Sequence, residues 1–387
     1  MQRIYLDHAA TTPLDPRVRA AMEPYWSEQF GNPSSLHRYG QAAAAALEGA
    51  RREVAAVLGC AAEEISFTAG GSESDNLALR GVLLASRRAG RNHLITTPIE
   101  HHAVGHTAAQ LRDELGCELT VVPVDGHGRI DPEDVRRAIR PETALISVML
   151  ANNEIGTVQP LAAIAAIARE HGVPLHSDAV QAAGQLPLAV DGLGVDLLSL
   201  SGHKFYGPKG VGVLYVRRDT PFLPTLTGGG QEGGRRAGTQ NVPGIVGLAT
   251  ALRIAEDERE PNVAHYSALR DRLVEGVVAL APDIRLSGHP LERLANNASF
   301  VVRGVTGQDL LIRLDLAGIA ASSGSACNVG EPEPSEVLLA CGLAREWALG
   351  ALRLTAGRAT TAEQIDAAVA ALAAIVPALR AASPVRG

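Results

Sequence analysis

The sequence predicts an α/β fold: a mostly parallel sheet of seven strands between helices, with a smaller α+β domain beside it. Three observations predict it. From Glu64 to Val216, short apolar runs alternate with stretches of helical length. After Tyr215 that alternation stops at a Gly-rich segment, TGGGQEGGRRAG over 227–238. The remaining third mixes helical stretches with isolated apolar runs. Regular strand–helix alternation is the pattern of βαβ units, whose parallel sheet is covered on both faces. The division expected is a large domain over residues 16–258, and a small one built from residues 1–15 with 259–387.

The elements follow in order. The chain opens on a short apolar run and turns at TTP. Residues 17–29 have helical character, GNPSS (31–35) breaks the chain, and the Ala-rich stretch 41–58 is a good helix. ISFT (65–68) reads as a strand, AGGSESD as a turn, and 76–86 as a helix. A strand, a Gly-Gly-Ser turn and a helix in succession present backbone N–H groups to an anion. Further strands are expected at 93–96, 118–122, 144–149, 173–176, 196–200 and 211–216, with helices at 102–115, 132–139 and 161–171. Beyond the Gly-rich segment, read as a mobile loop, comes a long helix at 242–258. Helices then follow at 266–280, 307–314 and 361–376, with strands at 299–302 and 351–355. Pro377 is expected to stop the last helix.

Composition excludes several classes. The 387 residues are 46% hydrophobic and 20% charged, a globular balance. Aromatics at 3% cannot build a stacking platform for single strands. A net charge of −7 without a basic run argues against nucleic acid or an anionic membrane as main partner. No apolar run approaches the ~20 residues of a spanning helix. MQRIYLDHAATTP lacks the apolar core of a signal peptide, so a cytoplasmic protein is expected. The four cysteines have no C-x-x-C spacing, and in a reducing compartment any that acts does so as a thiol.

The candidate chemistry lies at predicted strand ends. Lys204 stands in LSLSGHKFYGPKG between two apolar runs. Most lysines at such a turn are surface residues, but a buried one sheds its proton readily and attacks carbonyls. Asp178, in HSDAVQ, follows the preceding strand. Both would lie at the carboxyl edge of one parallel sheet, where open α/β sheets bind ligands. Asp178 is either a structural cap or the partner of a protonated ring nitrogen, and Gln181 is within reach of the same ligand. Gly71 and Ser72 offer an anion cradle that Ser201 and His203 would complete. His101 in EHHAV is able to stack on a flat ligand and move protons. His102 and His106 have the i, i+4 spacing of a metal pair but no third ligand nearby, so no resident metal is expected. Asn152 and Asn153 in NNEIG are turn formers or ligand donors. Cys327 sits in the polar stretch SSGSACNVG and reads as an accessible nucleophile, whereas Cys60, Cys117 and Cys341 read as packing residues. Arg353, inside an apolar strand, needs an anion, and a substrate carboxylate fits its fork.

These motifs together resemble the class V aminotransferase group of fold-type I pyridoxal-phosphate enzymes, and within it the cysteine desulfurases. The likeness runs from YLDHAATTP through FGNPSS, FTAGGSESDN, EHHAV, NNEIGTVQP, HSDAVQ, SGHKFYGPKG, GGGQEGGRRAGT and SSGSACN to LRLTAGR. The SSGSAC stretch is similar to the iron–sulfur-assembly and nitrogen-fixation branch. The resemblance implies pyridoxal 5′-phosphate as cofactor, joined to Lys204 as a Schiff base. Asp178 would pair with the pyridine nitrogen, Gln181 with the phenolic oxygen, and His101 would stack on the ring. Gly71, Ser72, Ser201 and His203 would hold the phosphate, with Thr239 reaching the phosphate of a neighbouring subunit in a homodimer. Asn153 and Arg353 would hold the carboxylate of L-cysteine. His8 and the GGS turn depart from the usual residues of the group.

The activity implied is removal of sulfur from L-cysteine, giving L-alanine and a persulfide on Cys327. A sulfur-acceptor protein such as an iron–sulfur scaffold would receive it. The only contact with iron foreseen is a transient one between Cys327 and a partner's cluster. Alternatives on the same fold are a selenocysteine lyase or a C–S lyase that releases sulfide freely, and a scaffold without catalysis, which would have lost Lys204.

Overall fold

The structure, a computed structural model, describes residues 3–324 and 333–382. Its main sheet has seven strands in the order Ile65–Thr68, Gly212–Val216, Leu197–Ser201, Leu175–Asp178, Thr143–Ser147, His93–Thr96, Glu118–Val121. All neighbours pair in parallel except Gly212–Val216, which runs antiparallel to both strands beside it. The period-two alternation of a strand decides which side each residue serves. Ile95, Ile146, Leu198 and Val213 point into one core, with Leu47, Val54, Ile164 and Leu248. Leu94, Leu145, Leu197 and Leu214 point the other way, onto Leu77, Val82 and Val104.

A second core forms around the three-stranded antiparallel sheet Ala351–Thr355, Asn297–Val302, Ile284–Leu286. Leu6 from the chain's start joins Phe300, Leu310, Leu352, Ile365 and Leu372 there. Just before Leu6, Ile4–Tyr5 pairs in parallel with Ile319–Ala320. Between the two cores, Ile99, Met149 and Ile155 meet Val301, Val337, Trp347 and Ala351.

Several expectations are corrected. The helix expected from residue 76 begins at Gly71 and runs to Ser86. The last helix, Ala362–Ala382, passes through Pro377 rather than stopping there. The turn beyond the proline is held from outside the helix: Arg380 donates to the Arg303 carbonyl (2.9 Å) and pairs with Asp283 (3.0 Å). At 21 residues this Ala-rich helix is long and apolar enough to cross a bilayer by length and composition alone. It buries Ile365, Ala368, Leu372 and Val376 in the second core and carries Glu363 and Asp366 in its first turns.

The Gly-rich segment, expected to be mobile, is pinned at its middle. Glu232 is buried and takes a bidentate pair from Arg51 (2.8 and 3.1 Å) and the N–H of Phe67 (2.9 Å). The helix expected at residue 266 begins at Arg259, so Pro261 lies in its first turn, where a missing N–H costs nothing.

Candidate active site

Three parallel strands end at one edge of the sheet. Asp178 is the last residue of its strand, and Ser199 lies beside it in the next. Two residues on, that next strand ends at Ser201, and one tight helical turn, Gly202–Lys204, lifts Lys204 above the edge. The first residues of the chain meet it there: Lys204 Nζ donates to the carbonyls of Ala9 (2.6 Å) and Ala10 (3.0 Å). Thr12 fixes that arm, its N–H and hydroxyl both donating to the His203 carbonyl at 2.9 Å. Burial, helped by the charge of Arg353, pushes the Lys204 amine down from 10.5 to about 8, against the pull of Asp178 and Asp7.

A cavity of about 200 Å³ opens over this edge, lined among others by Gly71, Ser72, His101, Asn153, Gln181 and Ser201, with Asp178, His203 and Lys204. One end is the start of the Gly71–Ser86 helix. Gly70, at φ 152°, makes the turn alone, and its carbonyl accepts from Ser74 N–H (3.1 Å) to close the first helical turn. Gly71 must lack a side chain, because a Cβ there would sit 2.8 Å from Val180 Cγ2 and 3.5 Å from Ser201 Cβ. Backbone N–H groups at such a start, with the helix dipole behind them, favour an anion.

The floor of the cavity is acidic. Asp178 accepts from Val180 N–H (2.9 Å). Burial pushes its carboxyl up, opposed by that bond and by His101 and Lys204. Asp75, four residues after Gly71 and so on the same helix face, also lines the cavity, 1% exposed. Burial and then the Asp178 charge push its carboxyl well up. Its Oδ1 has no hydrogen-bond partner and lies 3.7 Å from His176 Nε2. Glu100 does not line the cavity but feels the Asp178 charge; it accepts from Thr97 Oγ1 (2.9 Å) and Met149 N–H (3.0 Å), and burial pushes it up to about 8. Carboxyls crowded below a cavity favour a cation above them. The sequence reading missed Asp75 and Glu100. The signal for Asp75 was its spacing from Gly71, which counts only once the helix starts at Gly71.

The other predicted residues divide into those the structure gathers and those it does not. His101 caps the His102–Leu115 helix, Nδ1 accepting from Ala103 N–H (3.1 Å), and desolvation lowers its affinity for a proton. His203, pushed down to about 4 by burial, bonds Thr11 Oγ1 (3.1 Å). Gln181 Nε2 donates to the Ala9 carbonyl (3.0 Å). Arg353 is buried, donating to the Asn153 carbonyl (2.7 Å) and to Asp7 Oδ1 (2.9 Å), while its Nε has no partner. Thr239 is exposed and does not line the Lys204 cavity. Cys327 lies outside the described residues. Cys60, Cys117 and Cys341 are unpaired; burial pushes all three thiols up, Cys60 and Cys341 to about 12, so they stay protonated near neutrality. His102 and His106 stack at 4.6 Å, and no third metal-ligating side chain joins them among the described residues.

The arrangement can therefore bind an anion at the helix start, hold a cationic ring over Asp178, and offer a reactive amine whose proton affinity the charge of Arg353 helps to lower. Comparison with known proteins adds four findings. The sequence matches the family described as Aminotransferase class-V over residues 4–368. It is 49% identical over 381 residues to "Cysteine desulfurase IscS" of Methanosarcina thermophila, covering 98% of this chain and 94% of that one. Among solved structures, a "NIFS-LIKE PROTEIN" superposes with a TM-score of 0.91 at 37% identity, covering 98% of this chain and all of that one. A further structure, "SspA in complex with cysteine", does so with 0.79 at 39% identity, covering 91% and 98%.

Proposed function

The chain belongs to the class-V aminotransferase family, and from that premise we propose that it is a cysteine desulfurase that moves the sulfur of L-cysteine onto Cys327. The observation that carries the reading is Lys204: a lowered-pKa amine, across one cavity from a helix-start anion cradle and above a buried carboxylate. Those residues fit pyridoxal 5′-phosphate: the helix start at Gly71 and Ser72 suits its phosphate, and the buried Asp178 carboxyl in the same cavity suits a protonated ring nitrogen. When bound, that cofactor supplies an aldehyde for an amine and an electron sink for the substrate carbons.

The chain's residues do the rest. Gly71, Ser72, Ser201 and His203 would hold the phosphate, Asp178 would keep the ring nitrogen protonated, Gln181 would bond the phenolic oxygen, and His101 would cover the ring face. Lys204 would hold the cofactor and, as a neutral amine, take the proton from the substrate Cα. Arg353 and Asn153 fix the substrate carboxylate so that Cα faces Lys204 Nζ. Cys327, as a thiolate, attacks the substrate sulfur. The Cβ–S bond breaks, its electron pair stays with the carbon fragment, and protonation gives L-alanine. The sum is L-cysteine plus the Cys327 thiol going to L-alanine plus the Cys327 persulfide, a reversible carrier that a sulfur-acceptor protein would empty.

We further propose a homodimer, in which Thr239 serves the neighbouring subunit's phosphate, and a cytoplasmic setting, where thiols stay reduced. We divide the chain into residues 16–258 and residues 1–15 with 259–387. At the two crossings, ions of one part meet ions of the other: Arg17 with Asp15 (2.7 Å), and Arg358 with Glu258 (3.7 Å).

The test uses purified protein loaded with pyridoxal 5′-phosphate and given L-cysteine with dithiothreitol. Alanine and sulfide should appear in equal amounts, and both should vanish in Lys204→Ala. Cys327→Ala should keep the cofactor's visible band and lose the persulfide. Sulfide release at the wild-type rate from Cys327→Ala would make the enzyme a lyase instead.

A further inference from the structure

One side chain that the mechanism leaves unused joins the substrate-carboxylate site to both ends of the segment carrying Cys327. Glu154 follows Asn153 in NNEIG, and its backbone is fixed. Asn152 Oδ1 accepts from the N–H groups of Glu154 (2.8 Å) and Ile155 (2.9 Å), and Asn297 Nδ2 donates to the Glu154 carbonyl (3.3 Å). The carboxylate then reaches two places far apart in sequence. Glu154 Oε2 accepts from Ser335 Oγ at 2.5 Å. Ser335 is buried and caps the helix Glu336–Ala340, accepting from Leu338 N–H (3.2 Å). The same carboxylate packs on Gly324, where a Cβ would lie 2.9 Å from Oε2 and 3.2 Å from Glu154 Cβ. Gly324 is also left-handed, at φ 85°, so glycine is required there twice over.

The contacts close a ring. Gly324 N–H donates to Ser322 Oγ (3.1 Å), Ser322 and Arg353 exchange backbone bonds (3.1 and 2.6 Å), and Arg353 donates back to the Asn153 carbonyl (2.7 Å). Gly324 and Ser335 flank the stretch that contains Cys327, and Glu154 touches both.

We propose that Glu154 is a positioning residue that fastens both ends of the Cys327 segment to the residues holding the substrate carboxylate. The proposal rests on the desulfurase reading above. Glu154 meets neither substrate nor cofactor; it acts through Ser335 and Gly324, keeping the tether of the nucleophile anchored where the substrate carboxylate is held. A thiol on a long tether gains reactivity in proportion to how well its ends are fixed over its target.

The test separates sulfur transfer from chemistry at Cα. Holoenzyme is given L-cysteine in single turnover, and the Cys327 persulfide is trapped by alkylation and read by mass spectrometry. In parallel, exchange of the L-alanine Cα hydrogen for deuterium reports Lys204 without any sulfur step. Glu154→Ala and Ser335→Ala should slow persulfide formation about tenfold or more while Cα exchange stays within about twofold. Glu154→Gln, which keeps an oxygen for the Ser335 hydroxyl, should restore most of the rate. If Glu154→Ala does not fold, Ser335→Ala carries the test. Wild-type persulfide rates in these variants would overturn the proposal, as would a parallel fall of persulfide and Cα exchange. If the wild-type enzyme forms no persulfide while exchanging alanine, the desulfurase reading itself falls.

Discussion

At the scale of single residues, Lys204 concentrates the chemistry in an amine with a low proton affinity. Burial disfavours the ammonium form, so the folded chain releases that proton near pH 8 where an ordinary lysine holds it to 10.5. Between those values the unfolded chain binds more protons than the folded one. Lys204 therefore weakens the apoprotein below pH 8, and the loss is recovered as pH rises toward 10.5. The chain has only two lysines, Lys204 and Lys209, so its amines can be followed individually. Acetylation of Lys204 in the apoprotein should rise with a midpoint near pH 8 and then level off, read by peptide mass spectrometry beside a free lysine derivative. A rate still climbing past pH 10 would mean the amine is not desolvated. Lys204, Asp178 and Gln181 were legible because each stands at or just after a recognisable apolar run, and strand ends in such sheets share an edge. The Ala9 and Ala10 carbonyls were not: backbone oxygens carry no sequence signature, and the contact spans some 195 residues.

At the scale of elements, the seven strands of the main sheet were placed to within a residue or two, because short apolar-rich runs between turn formers leave little freedom, whereas Ile284–Leu286 and Ile319–Ala320 were not foreseen. Helix starts were harder. GGSES reads as a turn, yet Gly70 alone makes the turn and Gly71 already belongs to the helix. That shift puts Gly71, Ser72 and Asp75 on one continuous element, so the cradle and part of the acidic floor move together. A side chain at Gly71, pressing on Val180 and Ser201, should be felt at the anion end first. Gly71→Val is expected to weaken binding of pyridoxal 5′-phosphate to the apoprotein by about tenfold or more, ~1.4 kcal/mol. Titration of the visible band checks it, with circular dichroism to confirm the fold; unchanged affinity would place the phosphate elsewhere. The Gly-rich segment misled for a related reason: glycine content reports backbone freedom, whereas the Arg51–Glu232 pair that removes it joins residues 181 apart. Pro377 likewise follows a local rule that Arg380 overrides through contacts outside its helix.

At the scale of the whole molecule, residues 1–15 were expected beside the later part of the chain, where Leu6 does pack, but the contacts of Ala9, Ala10 and Thr12 with the Lys204 turn were not foreseen. Thr239, proposed above to serve a neighbouring subunit, is exposed and away from the cavity of its own chain. If it completes a neighbour's site, Lys204→Ala and Thr239→Ala chains co-expressed under different tags should form mixed dimers with one intact site. Those dimers should regain desulfurase activity that neither variant shows at limiting cofactor; no recovery in tag-selected heterodimers would confine Thr239 to its own chain. The first strand has a further consequence, for the order in which the protein is made. Ile4 and Tyr5 leave the ribosome early, yet their partners Ile319 and Ala320 follow roughly 315 residues later, a delay on the order of tens of seconds at ordinary translation rates. The seven-stranded sheet is complete at Val216, long before Arg353 is synthesised. Every residue lining the Lys204 cavity is thus synthesised before the second core has the strands and helices it needs to close.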